Sequence, residues 1–130
     1  MKAVEINKTG GTEVLEIKEI TLDEPGPEEV QIEQKAIGLN YIDTYHRSGL
    51  YPLKLPSGIG LEGAGIITKV GENVKDFNVG DKISYAGIPL GSYSTHRNYP
   101  TKNLVKVPDD IDLEIAATLM TKGLTTFYLL

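Results

Sequence analysis

The stretch Gly60-Leu61-Glu62-Gly63-Ala64-Gly65-Ile66-Ile67-Thr68-Lys69-Val70 decides how this chain folds. Its second half is mostly apolar, which predicts a strand buried inside the molecule. Because glycine weakens a strand, Gly60, Gly63 and Gly65 indicate bends or places where another backbone comes close, as at the corner of a β-barrel. The stretch therefore predicts a mainly β fold.

Short strands are predicted on both sides of this stretch. Upstream, Leu15 and Ile17 alternate with charged residues, which is the period of a half-buried strand. Gly10-Gly11 predicts a tight turn between a strand at 1–8 and a strand at 14–20. The same alternation predicts a strand at 30–33. The residues 78–83 predict a turn into another strand, a further strand is expected to begin at 91–94, and a short strand is expected at 104–107. Six to eight short strands with turn signals between them are typical of a partly closed barrel.

One short helix is predicted in the middle of the chain. Asn40 is a favourable N-cap residue, and Ile42 and Tyr45 lie three positions apart on one helical face. The helix is expected to run from Asn40 to Arg47 and to end near Gly49, because glycine is the usual residue after a helix.

A second helix is predicted at the end of the sequence. Asp112 can cap it, and Ile115, Leu119, Gly123 and Phe127 then follow at helical spacing. The pattern has no stop signal and ends in apolar residues, whereas natural chain ends are usually polar and exposed. The sequence therefore indicates a chain cut through an apolar element.

Composition limits the classes of protein that fit. The chain has 130 residues, a net charge of −5 and no cysteine. This length fits one domain, and the acidity argues against a nucleic-acid or anionic-membrane partner. Without cysteine there is no disulfide, no thiolate nucleophile and no Cys-ligated zinc. There is no secretory signal and no apolar run long enough to span a membrane, and we expect a cytoplasmic protein.

Several motifs together resemble one known family. They are Lys35–Tyr45, Arg47–Pro52, Gly60–Gly65, Lys69–Gly71, Val79–Ile83 and Lys122–Thr126. In this order and spacing they resemble NADPH:quinone oxidoreductase, the zeta-crystallin-like branch of the medium-chain dehydrogenase/reductase superfamily. Each motif is weak alone, but the series covers essentially the whole chain.

The resemblance implies a fold, a cofactor and partners. Residues 1–111 are expected to form a GroES-like, partly open β-barrel with one short helix. Residues 112–130 would begin the helix that leads to a Rossmann nucleotide-binding domain, which this sequence does not include. The glycines of 58–63 fit the letters of a dinucleotide-binding motif, but they precede a strand and so lack its context. The implied cofactor is NADPH, and the implied partners are a quinone, the nucleotide-binding domain and further copies of the chain.

The resemblance also implies chemistry without zinc. Zinc-dependent relatives carry a cysteine where this chain has Asn40 and a histidine where it has Leu61. Neither asparagine nor leucine serves as a zinc ligand, and His46 and His96 are isolated. The expected reaction is therefore hydride transfer from NADPH to a quinone without a metal.

Candidate site residues follow from the same resemblance. Tyr45 and Asn40 are the catalytic candidates, because a hydroxyl or amide donor can stabilise the oxygen that becomes anionic. Tyr51 and Tyr45 are the substrate candidates, since their rings can lie against a flat quinone. The cofactor candidates are Asn40, Tyr41, Ile42, Asp43, Thr44, Tyr45, Lys122 and Thr125.

Plainer interpretations stay open for the same residues. Asn40 can be only a helix cap, Tyr45 and Tyr51 only half-buried aromatic residues, and Glu62 only a buried carboxylate held by backbone donors or a basic residue. Two other functions also remain. One is a free-standing GroES-like remnant or interaction module that self-associates through its terminal helix, and the other is a zinc-free enoyl or alcohol reductase. For the quinone oxidoreductase, we expect little activity from this segment alone, and the interaction module would have no catalytic activity.

Overall fold

The computed structural model describes all 130 residues and contains eight β-strands. They are β1 (Lys2–Ile6), β2 (Glu16–Glu19), β3 (Glu29–Gly38), β4 (Ser57–Gly58), β5 (Glu62–Val70), β6 (Lys82–Ala86), β7 (His96–Pro100) and β8 (Leu104–Lys106). The strands form two antiparallel sheets, with the orders β2-β1-β4 and β7-β3-β5-β6-β8. The mainly β class is confirmed, and the strands form two sheets rather than a closed barrel.

The central pair of strands, β3 and β5, explains the glycines of the deciding stretch. A side chain at Gly63 would overlap the Gln34 side chain, and one at Gly65 would overlap the backbone of β3. Two shifts of register interrupt the pairing of β3 with β5, and these bend the strands. Close backbone approach is therefore confirmed at Gly65, whereas at Gly63 the close neighbours are the side chains of Gln34 and Tyr85.

Three apolar clusters form the interior. The largest lies on the five-stranded sheet and consists of Val30, Ile32, Ile67, Ile83, Tyr85, Tyr99 and Leu104. A second cluster packs the smaller sheet with Ile6, Val14 and Ile59. In the third cluster, Ala64 of β5 contacts Ala116 and Ala117 of the terminal helical region, so this region is anchored by small side chains.

The smaller sheet departs from two predictions. Gly10-Gly11 does not make a tight turn, because the connection continues through a 3-10 turn at Thr12–Val14 before β2 begins. Ile17 was expected on a buried face, but its side chain is 76% exposed. Alternation shows which residues of a strand share a face, whereas burial requires another element to cover that face, and nothing covers Ile17.

The middle helix forms as predicted. Helix α1 spans Tyr41–Ser48, with Asn40 at its N-cap. Gly49 follows it in the left-handed conformation at φ 86°, which glycine adopts without steric cost. His46 lies within α1 and His96 at the start of β7, and both are half-buried.

The terminal helix forms as predicted, but it changes its hydrogen-bonding pattern along its length. It consists of α2 (Leu113–Thr118), a π-helical turn (Leu119–Gly123) and α3 (Leu124–Leu129). The hydroxyls of Thr125 and Thr126 donate to the carbonyls of Thr121 and Lys122, four residues earlier, around this turn. None of the helices has both the length and the apolar character needed to cross a bilayer.

Candidate active site

A cavity of about 440 Å³ opens beside α1. It is lined by Leu15, Leu39, Asn40, Tyr41, Asp43, Thr44, Arg47, Ile59, Tyr93 and Lys122. Five residues that the sequence predicted to approach a cofactor lie in this lining: Asn40, Tyr41, Asp43, Thr44 and Lys122. The other predicted site residues, Ile42, Tyr45, Tyr51 and Thr125, are outside it. The structure therefore separates the candidates into two groups.

The wall formed by α1 is fixed by Asp43. Asp43 is 3% exposed, and its Oδ2 accepts hydrogen bonds from the Asn40 backbone N–H at 3.0 Å and the Tyr93 hydroxyl at 2.6 Å. The first bond caps the helix, and the second ties the helix to the segment before β7. Asp43 Oδ1 is buried without a hydrogen-bond partner.

A chain of hydrogen bonds forms one end of the cavity. The Lys122 ammonium donates to the Leu39 carbonyl at 2.9 Å and to Asn40 Oδ1 at 3.1 Å. The Asn40 Nδ2 donates to Glu62 Oε2 at 2.6 Å, and the Thr121 backbone N–H donates to Glu62 Oε1 at 2.8 Å. These bonds join α1, β5 and the π-helical turn.

The residues in this chain of hydrogen bonds differ in burial. Glu62 is completely buried and Asn40 is 7% exposed, whereas Lys122 reaches solvent. A side chain at Gly38 would overlap both Glu62 and the Ala117 carbonyl, so only glycine leaves room there. The prediction that a backbone donor holds a buried Glu62 is confirmed, and the second donor is the Asn40 amide rather than a basic residue.

Tyrosines line the neighbouring face of α1. The ring centroids of Tyr41 and Tyr45 are 5.4 Å apart, and those of Tyr45 and Tyr51 are 5.3 Å apart. His46 packs edge-on against Tyr51 at 5.9 Å. The hydroxyls of Tyr41, Tyr45 and Tyr51 make no hydrogen bond within the chain. This row presents flat apolar rings with free hydroxyl donors.

A different environment surrounds Tyr93. Burial and the hydrogen bond to Asp43 raise the pKa of Tyr93 far above its usual value near 10. The hydroxyl is therefore protonated throughout the neutral range and donates to Asp43. The Tyr93 hydroxyl is therefore used to hold the cavity wall, whereas the hydroxyls of Tyr45 and Tyr51 make no hydrogen bond within the chain.

Sequence reasoning missed several lining residues. Leu15, Ile59 and Tyr93 come from three separate segments, and no motif connects them. Arg47 holds the end of α1 by donating from Nε to the Gly10 carbonyl at 3.3 Å. The spacing of Asn40, Asp43 and Arg47 along one helical face was the signal that could have indicated the wall of a site.

No group of three or more histidine, cysteine, aspartate or glutamate side chains is close enough to hold a metal ion. Asn40 and Leu61 stand at the two positions where zinc-dependent relatives are expected to carry ligands. The Asn40 amide is hydrogen bonded to Glu62, and Leu61 offers no atom that can bind a metal. The donor set at this place therefore does not fit zinc.

The two sheets, the central glycines and the short α1 helix define a GroES-like domain. A family model, the alcohol dehydrogenase GroES-like domain, matches residues 26–109, and the chain belongs to this family. The predicted resemblance to quinone oxidoreductases is also confirmed. The chain is 53% identical over 130 residues to the quinone oxidoreductase of Pseudomonas aeruginosa, and the match covers 99% of this chain and 40% of the relative.

Two other relatives are informative. A crystal structure of Escherichia coli quinone oxidoreductase complexed with NADPH superimposes with a TM-score of 0.96 at 48% identity, covering 99% of this chain and 40% of that chain. The 2-haloacrylate reductase of a Burkholderia species is 42% identical over 134 residues, covering 98% of this chain and 40% of the relative. The chain therefore spans about 40% of the length of these relatives.

Proposed function

We propose that this chain is the N-terminal, substrate-side part of an NADPH-dependent quinone oxidoreductase that works without a metal. The observation that carries the proposal is the 53% identity with a quinone oxidoreductase over the whole chain. The proposal assigns residues 1–111 to the substrate-side domain. Residues 112–130 then begin the connection to a nucleotide-binding domain, and copies of the complete protein associate with one another.

The residues around the cavity fit a nicotinamide cofactor. The Lys122 ammonium has three N–H donors and uses two of them, on Leu39 and Asn40. The third donor can hold a carboxamide or phosphate oxygen, and Tyr41 and Thr44 line the same cavity. When bound, NADPH supplies the hydride. We assign no direct contact to Thr125 through its hydroxyl, which donates to the Thr121 carbonyl.

The tyrosine row fits a flat substrate. A quinone oxygen becomes anionic as its ring is reduced, and a donor aimed at that oxygen lowers the barrier. The hydroxyls of Tyr45 and Tyr51 are free for this purpose, and their rings exclude water from one face of the substrate. We propose Tyr45 as the main donor, Tyr51 as a substrate contact and Asn40 as a second donor through its remaining Nδ2 proton.

A chimera tests the proposal directly. This chain would replace the matching 40% of the Pseudomonas aeruginosa quinone oxidoreductase, and NADPH oxidation would be followed with 1,4-benzoquinone. We expect activity within about tenfold of the parent enzyme. Tyr45→Phe should then lower kcat by a factor on the order of 10². Tyr99→Phe is the matched control, because the Tyr99 hydroxyl contacts the Gly87 and Ile88 carbonyls and Tyr99 lies outside the lining of the cavity.

A folded chimera without quinone-dependent activity would refute the proposal and favour a binding module without catalysis. Unchanged turnover in both Tyr45→Phe and Asn40→Ala would instead refute only the site assignment. Circular dichroism of the chimera separates these outcomes from a failure to fold.

A second candidate function is the reduction of an activated carbon–carbon double bond. The relative named 2-haloacrylate reductase, at 42% identity, favours it. The same chimera would be assayed with 2-chloroacrylate and 1,4-benzoquinone in parallel. A higher kcat/KM for 2-chloroacrylate would replace the quinone in the proposal with an acrylate.

A further inference from the structure

The hydrogen bonds of Glu62 fix which way the Asn40 amide points. Glu62 is completely buried, and both of its oxygens accept from donors, one from Asn40 Nδ2 at 2.6 Å and one from the Thr121 N–H at 2.8 Å. A carboxylate is the side chain that can accept on both sides. The Asn40 Nδ2 must therefore face Glu62, and Oδ1 must face the opposite way.

The orientation of Asn40 in turn determines the place of Lys122. Asn40 Oδ1 accepts from the Lys122 ammonium at 3.1 Å, and the Leu39 carbonyl accepts from it at 2.9 Å. If the amide were reversed, Nδ2 would face the ammonium, and two donors would oppose each other. The reversed amide would leave the ammonium with the Leu39 carbonyl as its one acceptor and an opposing donor beside it, which weakens the hold on Lys122.

We infer that Glu62 is a positioning residue: its buried carboxylate orients the Asn40 amide, and Asn40 thereby holds the Lys122 ammonium at the edge of the cavity. The Thr121 N–H reaches Glu62 from the π-helical turn, one residue before Lys122. The same carboxylate thus holds both the turn that carries Lys122 and the amide whose oxygen accepts a hydrogen bond from the lysine. The role of Lys122 toward a cofactor oxygen rests on the proposed function, whereas the orientation of Asn40 does not.

Nuclear magnetic resonance of the 130-residue chain tests the orientation without any variant. We expect nuclear Overhauser effects from the Asn40 Nδ2 protons to the γ protons of Glu62. We also expect these amide protons to exchange with water at least about tenfold more slowly than those of the exposed Asn73. Amide protons that face the ε protons of Lys122 would overturn the inference.

Two substitutions test the direction of control. Glu62→Gln leaves one acceptor for two donors, so we expect about tenfold faster exchange of the Asn40 Nδ2 protons and loss of their contact with residue 62. Lys122→Met should leave that contact intact, because Glu62 holds the amide independently of the lysine. Unchanged Asn40 exchange and contacts in Glu62→Gln, or a turned amide in Lys122→Met, would overturn the inference.

Ser84→Ala is the matched structural control. Ser84 is 3% exposed and donates to the Ala116 carbonyl at 3.0 Å, so it also ties α2 to the five-stranded sheet. It is not part of the chain of hydrogen bonds through Asn40. We expect its substitution to lower stability without changing the Asn40 amide signals. If Ser84→Ala changed these signals as much as Glu62→Gln does, Glu62 would have only a structural role and the inference would be overturned.

The chimera gives a second and separate readout. Glu62→Gln should raise the KM for NADPH about tenfold, with a smaller effect on kcat, because Lys122 loses its place rather than its charge. An unchanged KM for NADPH would refute the claim that Glu62 influences cofactor binding through Lys122. If the unsubstituted chimera is inactive, the proposed function fails, while the magnetic resonance measurements still decide whether Glu62 orients Asn40.

Discussion

The Tyr93 hydroxyl donates a hydrogen bond of 2.6 Å to Asp43 Oδ2, fifty residues earlier in the chain. The bond connects helix α1 to the segment that precedes β7. Asp43 is 3% exposed, and its other oxygen has no partner within the chain. Tyr93 therefore supplies one of the two hydrogen bonds that this buried carboxylate receives, and the wall of the cavity depends on it.

Removing this hydroxyl should destabilise the fold. We expect Tyr93→Phe to lower the free energy of unfolding by about 1–3 kcal/mol, because Asp43 then stays buried with fewer donors. Urea denaturation would measure the loss, with an unchanged m-value as the sign of an unchanged native fold. Tyr128→Phe serves as the control, since that ring is 86% exposed. Equal stability of the two variants would contradict the role of Tyr93.

The same bond predicts loss of stability at high pH. Burial first, and then the hydrogen bond to Asp43, raise the pKa of Tyr93 in the folded chain above the unfolded value of about 10. Above a pH of about 10 the unfolded chain loses this proton first, so the free energy of unfolding should fall as the pH rises further. Burial raises the pKa of Tyr85 and Tyr99 in the same direction.

Urea titrations between about pH 8 and pH 11 would measure this dependence. In Tyr93→Phe the decline above a pH of about 10 should be shallower than in the unsubstituted chain, because one of the three late-ionising tyrosines is gone. Parallel curves for the two proteins would show that Tyr93 does not contribute.

Two glycines with nearly equal φ angles allow steric overlap to be distinguished from the strain of a positive φ. Gly60 has φ 90° and Gly80 has φ 93°, but a side chain at Gly60 would overlap Ser92 and Tyr93, whereas Gly80 has nothing within 4 Å. Gly80→Ala should cost about 1–2 kcal/mol from strain alone. Gly60→Ala should cost about 1–3 kcal/mol more, because the interior there is overpacked.

Thermal or urea denaturation of both variants would give this difference. The comparison is informative because each variant adds the same methyl group at the same kind of backbone position. A smaller loss at Gly60 than at Gly80 would mean that the segment carrying Ser92 and Tyr93 moves aside at little cost.

Local signals in the sequence predicted the parts of the fold that local physics controls. Asn40 and Gly49 bound α1 as expected, because capping depends on residues within one turn of the helix. Gly65 marks close approach of the β3 backbone, because a glycine inside a strand often lies where a neighbouring backbone leaves no room for a side chain. The burial of Glu62 was also predictable, since its neighbours are apolar or glycine.

Other features depend on contacts that no local pattern contains. Glu62 meets the Thr121 N–H fifty-nine residues away, and only the π-helical turn brings that group into reach. The spacing of Ile115 and Leu119 correctly predicted a helix, but the residues that this helix buries are Ala116 and Ala117. Small residues that pack closely on β5 decide that face, and a search for large apolar residues overlooks them.

The exposed end of α3 should make the chain associate with itself. Phe127 is 87% exposed and Leu130 is fully exposed, with Tyr128 and Leu129 beside them. Burying each such side chain gains about 1.5–3 kcal/mol, so two copies can stabilise each other through this helix. We expect sedimentation velocity to show species above the 14.2 kDa monomer that increase with concentration.

The combined change Phe127→Asp and Leu130→Asp should restore the monomer. Ile88→Asp, which removes a separate apolar residue that is 74% exposed, should not. A monomer at every concentration for the unsubstituted chain would show that these apolar residues drive no association.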